Sequence, residues 1–253
     1  MTTPLSLLEW LTAPLSGAVN HSIEPAVYWH ARMMVLAWGI CLPLGALVAR
    51  YFKVMPQQDW PTVLDNKAWW HGHRLLQYGG VVAMTVGLVL VWSYPGQSSV
   101  AVWLHALLGW TVLVAGWLQM LGGIARGSKG GPTDAQMRGD HYDMTAWRRA
   151  FEHIHKRLGW AAIVVAAPTT VIGLAITDAP RWMLVVLVLW WLGLALLAFA
   201  LQRRGLCIDT YQAIWGTDPS MPGLQQPATG WGVKRHSKSP WKTQPLTPSI
   251  SND

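Results

Sequence analysis

The chain has 253 residues, of which 52% are apolar and 12% charged, and its net charge is +7. An average soluble domain is about a quarter charged, so this composition excludes an ordinary soluble domain, and the apolar content excludes disorder over most of the chain. The 18 Trp against 3 Phe suit a protein that crosses the membrane–water boundary, where an apolar ring and a polar N–H both find partners. The positive charge flanks apolar runs and therefore speaks for membrane topology, not for nucleic acid. Two cysteines, Cys41 and Cys207, make no disulfide framework.

In chain order, residues 1–24 read as an external or interfacial segment. Glu9 interrupts its apolar stretch and no basic residue precedes it, so it is not a signal peptide; Met1 to Asn20 reads as a short interfacial helix. The first span is Pro25 to Tyr51, with Pro25 suited to the first helical position. Leu75 to Ala125 holds no Asp, Glu, Lys or Arg and is too long for one crossing of about 20 residues. The turn residues Ser93-Tyr94-Pro95-Gly96-Gln97-Ser98-Ser99 divide it, giving a second span from Asn66 to Trp92 and a third from Val100 to Ile124. The uncharged run Leu158 to Thr177 is the fourth, with Thr145 as an upstream N-cap. After the turn Asp178-Ala179-Pro180, Trp182 to Gln202 is the fifth. The expected fold is an all-α membrane protein: an up-down four-helix bundle over residues 25–178, a fifth transmembrane helix over 179–202, and a tail, 203–253, that is disordered or laid on a partner because it is polar and rich in Pro, Gly and Ser.

All but two of the 19 Lys and Arg fall in three segments: around the first interhelical loop, between the third and fourth spans, and in the tail. Five spans put these on one side; only Arg32 and Arg181 lie opposite. The positive-inside rule then makes the N-terminus external (periplasmic in a bacterium) and the C-terminus cytoplasmic.

Ionisable groups at membrane depth are functional candidates. His30, His73, His105 and His155 stand near the starts of four successive spans. Spans one and three begin outside, so His30 and His105 share the outer level; His73 and His155 share the inner. In an up-down bundle, helices of like direction are diagonal, so each pair faces across the centre and can grip one iron between two imidazoles. Two haem sites result, one per leaflet. Gly109 and Gly159 each follow a His by four residues, one turn along on the same face, and clear space for a flat macrocycle. His73 has Gly80 two turns on. His71 and His153 point to the opposite faces and are register alternatives; His21, His141 and His236 read as solvated loop residues. Arg32 at the outer level, and Arg74, Lys156 and Arg157 at the inner, are candidate partners for haem propionates, although snorkelling anchors would occupy the same positions. Zinc fits less well, because each level offers two His where a structural site takes four ligands. The absence of Cys-x-x-Cys-His excludes covalent c-type haem.

At these residues the chain resembles the cytochrome b-561 family over roughly Tyr28 to Ile176. The likeness rests on His30 with Trp38-Gly39, Leu42-Pro43-Leu44-Gly45 and Ala49-Arg50-Tyr51; on Trp69 and His73 through Gln77; on His105 to Gly109 with Gln119; and on Trp147 with His155 to Gly159. The resemblance implies two non-covalent b-type haems, ligated by His30 with His105 and by His73 with His155, and electron transfer between them across the membrane. The chain is then an electron-transfer cytochrome, or a subunit of a transmembrane oxidoreductase. Bis-His ligation closes both axial positions, and two sites set in from each face put the irons on the order of 10–20 Å apart. Its partners are membrane lipid and redox donors and acceptors, a quinol or an ascorbate-like reductant among them, and no nucleic acid. Two other readings stay open: an accessory or anchor subunit of a larger respiratory or photosynthetic complex, and histidines that ligate chlorophyll magnesium or serve only as interhelical hydrogen-bonding groups.

Overall fold

The computed structural model describes residues 6–18, 22–94, 99–128, 130–132, 135, 136 and 138–242. Residues 95–98 of the dividing turn, His21, Lys129 and the end of the tail from 243 lie outside the described residues. The fold is that of an all-α membrane protein, with five helices long and apolar enough to cross a bilayer. They are α2 (Pro25–Tyr51), α3 (Ala68–Val91), α4 (Val100–Ile124), α6 (Ala146–Ile176) and α7 (Arg181–Arg203). Among the described residues three short α-helices accompany them, α1 (Leu7–Thr12), α5 (Asp140–Asp143) and α8 (Thr210–Trp215), with a 3-10 turn at Pro222–Leu224. Helix α2 packs on α3 and α4 on α6, and the ring closes through α3–α4 and α2–α6 contacts. Like-directed helices are therefore diagonal. The end carrying His30 is called outer below and the end carrying His73 inner, after the orientation the charges predict.

Local chemistry explains the helix boundaries. Ser6 and Glu9 form a capping box that starts α1, with Glu9 N–H donating to Ser6 Oγ and Ser6 N–H to the Glu9 carboxylate. Glu9, the residue that breaks the apolar stretch, thus nucleates the short helix. Ser99 and Thr145 cap α4 and α6 by accepting from Val102 and Arg148 N–H. Helix α6 begins a full three turns before the uncharged run, because Glu152 pairs with both Arg148 and Lys156 along it.

Within α2, Pro43 has no N–H to give the carbonyl of Gly39. The helix widens to π geometry over Val35–Cys41, and the Gly39 carbonyl accepts the indole N–H of Trp190 at 2.8 Å. One proline thus creates the acceptor that fastens the fifth span to the bundle. At the outer end, Asp178 turns with φ 49° and its carboxylate takes two hydrogen bonds from Ser16, N–H at 2.7 Å and Oγ at 2.5 Å. The segment after α1 is tied down by that turn.

Midway along the bundle a core of Trp38, Met84, Val112, Leu113, Ala162 and Ala166 is closed to solvent. Gly80 belongs to this packing: a Cβ there would lie 2.8 Å from the Leu42 side chain. It brings α2 and α3 together, in place of the cofactor clearance expected of it.

Residues 203–242 differ from the tail expected of them. They fold back on the inner end and bury Leu206, Cys207, Ile208, Tyr211, Ile214 and Trp215. Arg235 organises the segment, bonding Asp209 (2.7 Å) and the carbonyls of Leu224 and Gln226 (both 2.7 Å). The Trp241 indole donates to Val54 O at 2.7 Å. A polar, Pro- and Gly-rich composition hides such a segment, because its apolar residues are few and its hold is charge-assisted bonding to backbone carbonyls.

Candidate functional site

The structure brings the four candidate histidines together in two couples. The His30 and His105 rings have centroids 6.2 Å apart and planes inclined by 75°; those of His73 and His155 are 6.5 Å apart and inclined by 79°. A first-row metal lies about 2 Å from an imidazole nitrogen and about 3.2 Å from the ring centroid, so two opposed imidazoles sharing one metal have centroids roughly 6.3 Å apart. Both couples stand at that separation. His71 and His153 are exposed and join neither.

Three of the rings are oriented by backbone carbonyls. Nδ1 of His30 lies 2.9 Å from Gly87 O, Nδ1 of His73 2.9 Å from Gly45 O, and Nδ1 of His105 3.0 Å from Thr169 O. A carbonyl oxygen only accepts, so in each ring Nδ1 carries the proton and Nε2 keeps its lone pair for a metal. His155 is held differently. Its ring stacks on Phe151 at 5.0 Å, and its own carbonyl accepts from Gln119 Nε2 at 3.1 Å.

These supports follow a rule. Each helix carries its histidine at one level and, about four turns on, a residue that steadies the other level: Gly45 after His30, Gly87 after His73, Gln119 after His105 and Thr169 after His155. Helices α2 and α3 exchange such bonds, and α4 and α6 do likewise. Four turns at about 5.4 Å each put the levels roughly 21 Å apart along the helices, just beyond the roughly 10–20 Å expected. The spacing was present in the sequence. What the sequence concealed is that the functional group of Gly45, Gly87 and Thr169 is a main-chain oxygen.

The glycines divide in role. A Cβ on Gly109 would meet nothing within 4 Å, while one on Gly159 would lie 3.8 Å from the Gln119 side chain. Gly173 was missed: its Cβ would fall 2.8 Å from His105 Cε1, so the ring rests against bare backbone one turn past Thr169.

The basic residues also separate. Arg32 is exposed, its guanidinium 3.7 Å from the Tyr28 ring centroid, which fixes it at the outer rim. Arg74 lies over Trp70 and Tyr78, Lys156 bonds Glu152 Oε2 and Thr229 O, both at 2.8 Å, and Arg157 is exposed. Two further cations are nearer the inner couple than sequence reasoning indicated. Arg126 stacks 4.0 Å from the ring centroid of Trp70, whose ring is 6.0 Å from that of His73. Burial, and then the cations of Arg148 and Arg74, bring the Arg126 guanidinium down to about 10, still charged at neutral pH. Arg148 is 4% exposed, and among the described residues its Nη1 has no hydrogen-bond partner. Both line a small cavity with Lys67, Trp70 and Thr210.

His141 corrects an expectation. It is fully buried, between Glu152 and α8, where loop position suggested solvent. The Trp215 indole donates to its Nδ1 at 3.3 Å, which places the ring proton on Nε2, 3.6 Å from Glu152 Oε1. His236 is likewise fixed, with Nε2 donating to Gly205 O at 2.9 Å. Burial, and then the Arg148 cation, push His141 from 6.5 down to about 3. The unfolded chain therefore binds this proton first as pH falls. Stability should be level above about pH 6.5 and decline from there towards pH 3. His141→Gln should flatten that decline in thermal melts; equal slopes for variant and parent would contradict it.

Among the described residues no three His, Cys, Asp or Glu side chains converge on a metal-sized site. Two imidazoles alone leave a metal needing further donors. A tetrapyrrole brings four of its own, and its planar ring accepts axial nitrogens from opposite sides. The donor set of each couple fits such a group and does not fit structural zinc.

No family model matches the chain, and no solved structure matches it. Curated proteins do. A putative ferric-chelate reductase 1 of Xenopus laevis is 28% identical over 187 residues, covering 71% of this chain and 28% of that protein. Ferric-chelate reductase 1 of Homo sapiens is 28% identical over 145 residues, 57% of this chain and 22% of that one. A cytochrome b561, DM13 and DOMON domain-containing protein of Arabidopsis thaliana is 28% identical over 151 residues, 59% of this chain and 15% of that one. The chain thus spans less than a third of the length of these relatives. With five spans and relatives of this kind it is an integral membrane protein, related to the cytochrome b561 family.

Proposed function

We propose that the protein carries electrons across the membrane through two b-type haems, the outer held by His30 and His105 and the inner by His73 and His155. The observation that carries this reading is the pair of ring separations, 6.2 and 6.5 Å, each the span of two imidazoles on one metal. Held by these histidines, a haem would supply a one-electron couple. The chain's own part is to fix the tautomers through Gly87, Gly45 and Thr169, to exclude water with the mid-bundle core, and to hold the levels about 21 Å apart. The basic loops set the N-terminal end outside and the C-terminal end in the cytoplasm.

Electrons enter at the inner end from an anionic, ascorbate-like reductant. Arg126, Lys67 and Arg148 make the region beside Trp70 positive, which would attract an anionic donor to the inner face, and the Trp70 ring stands 6.0 Å from that of His73. Arg74 and Lys156 keep the inner field positive, and Arg32 marks the outer rim.

Purified protein tests this. The expected result is a reduced-minus-oxidised b-type spectrum at two haems per chain, with electron transfer from external ascorbate to ferricyanide trapped in proteoliposomes whose outward face is the inner end. Fewer than two haems per chain, or no transfer, overturns it.

A further inference from the structure

We infer that residues 203–242 are a positioning clamp for the inner imidazole couple, tying the end of α2 beyond Gly45 to the base of α6 that carries His155. The inference rests on the reading of His73 and His155 as ligands. The inner couple is supported from both sides: the Gly45 carbonyl orients His73, and the first turns of α6, with Gln119 on the His155 carbonyl, place His155.

The tail holds both. On the α6 side, Arg149 Nη1 donates to Gln226 Oε1 at 2.9 Å, and Lys156 Nζ to Thr229 O at 2.8 Å. These bonds straddle His155. On the α2 side, Arg50 Nη2 donates to Trp231 O at 2.7 Å and to Gln202 Oε1 at 3.0 Å, and Gln202 Nε2 donates to Gly232 O at 2.8 Å. The stretch from Gln226 to Gly232 is thus a strap between the two supports, and most of its bonds are cation-to-carbonyl, the stronger kind. Its path depends on glycine: Gly230 has φ 122° and Gly232 φ 65°, and a Cβ on Gly232 would lie 2.7 Å from Gln202 Nε2. The outer couple lies at the opposite end of the bundle from the strap. The rings of His30 and His105 are steadied by Gly87 and Thr169, inside the bundle. Disturbing the strap should therefore act on one couple alone.

The test uses the full chain with two independent changes. Gly232→Val strains the strap's backbone and displaces Gln202, and the double variant Gln202→Leu/Gln226→Leu removes a side-chain anchor at each end. Haem content, the visible spectrum and the midpoint potential of each component are measured, with His73→Ala identifying the inner component. The expected result for both variants is a shift of the inner potential, or loss of the inner component with the ratio falling from two haems to one, at an unchanged outer potential. Unchanged potentials in both components, or equal shifts in both, overturn the clamp while two haems in the parent leave the ligand reading standing. Fewer than two in the parent defeats both.

Discussion

Gly173→Val and His105→Ala should leave the same spectrum, with the inner pigment intact and the outer one gone. The reasons differ. His105→Ala removes an axial nitrogen outright. Gly173→Val leaves every donor in place but puts a Cβ 2.8 Å from His105 Cε1 and 3.3 Å from its Nδ1, distances that a ring held by its Nδ1–Thr169 bond at 3.0 Å cannot accept without turning. A turned ring no longer directs Nε2 at His30. Overpacking of this kind costs about 1–3 kcal/mol, too little to unfold the bundle, so the variant should be recovered folded with half its pigment. Gly79→Val is the control: its Cβ would meet nothing within 4 Å, and both pigments should remain. Retention of both in Gly173→Val would show that the His105 ring does not rest where the structure puts it.

How much of this could be read from sequence depended on whether the physical cause was local. The spans Pro25–Tyr51 and Val100–Ile124 were readable to the residue, because uncharged run length and turn residues decide them. The start of α6 was less plain, since Arg148, Glu152 and Lys156 count against a span one at a time and are paired only when folded. The pairing of His30 with His105 and of His73 with His155 follows from alternating direction alone. The main-chain acceptors at Gly45, Gly87 and Thr169 carry no side-chain signature, and Gly173 differs from other helical glycines only in what faces it. His141 and the tail were misread for one reason: their burial is supplied by residues far away in sequence, Trp215 for the first and Arg50, Arg149 and Lys156 for the second.

The largest loss of stability should come from Glu152. It is 5% exposed, and its carboxylate accepts from Arg148 Nε at 3.1 Å and Lys156 Nζ at 2.8 Å. His141 is the third neighbour, 3.6 Å away. One carboxylate thus answers two cations in a region with little water. Removing one partner of a buried pair strands the other's charge and costs about 3–5 kcal/mol, and here the buried Arg148 loses its carboxylate while the half-buried Lys156 keeps only its bond to Thr229 O. Glu152→Ala should lower the unfolding free energy in detergent by that amount at neutral pH, followed through the tryptophan fluorescence. Glu152→Gln keeps an acceptor oxygen and should lose less. Adding Lys156→Met to Glu152→Ala removes one stranded cation and should restore part of the loss, a coupling that independent sites do not show. Because Glu152 lies one turn before His155 on α6, the same variants should disturb the inner pigment more than the outer. An alanine variant within about 1 kcal/mol of the parent, the size of an exposed pair, would mean that the cluster is hydrated and that the tail does not seal it.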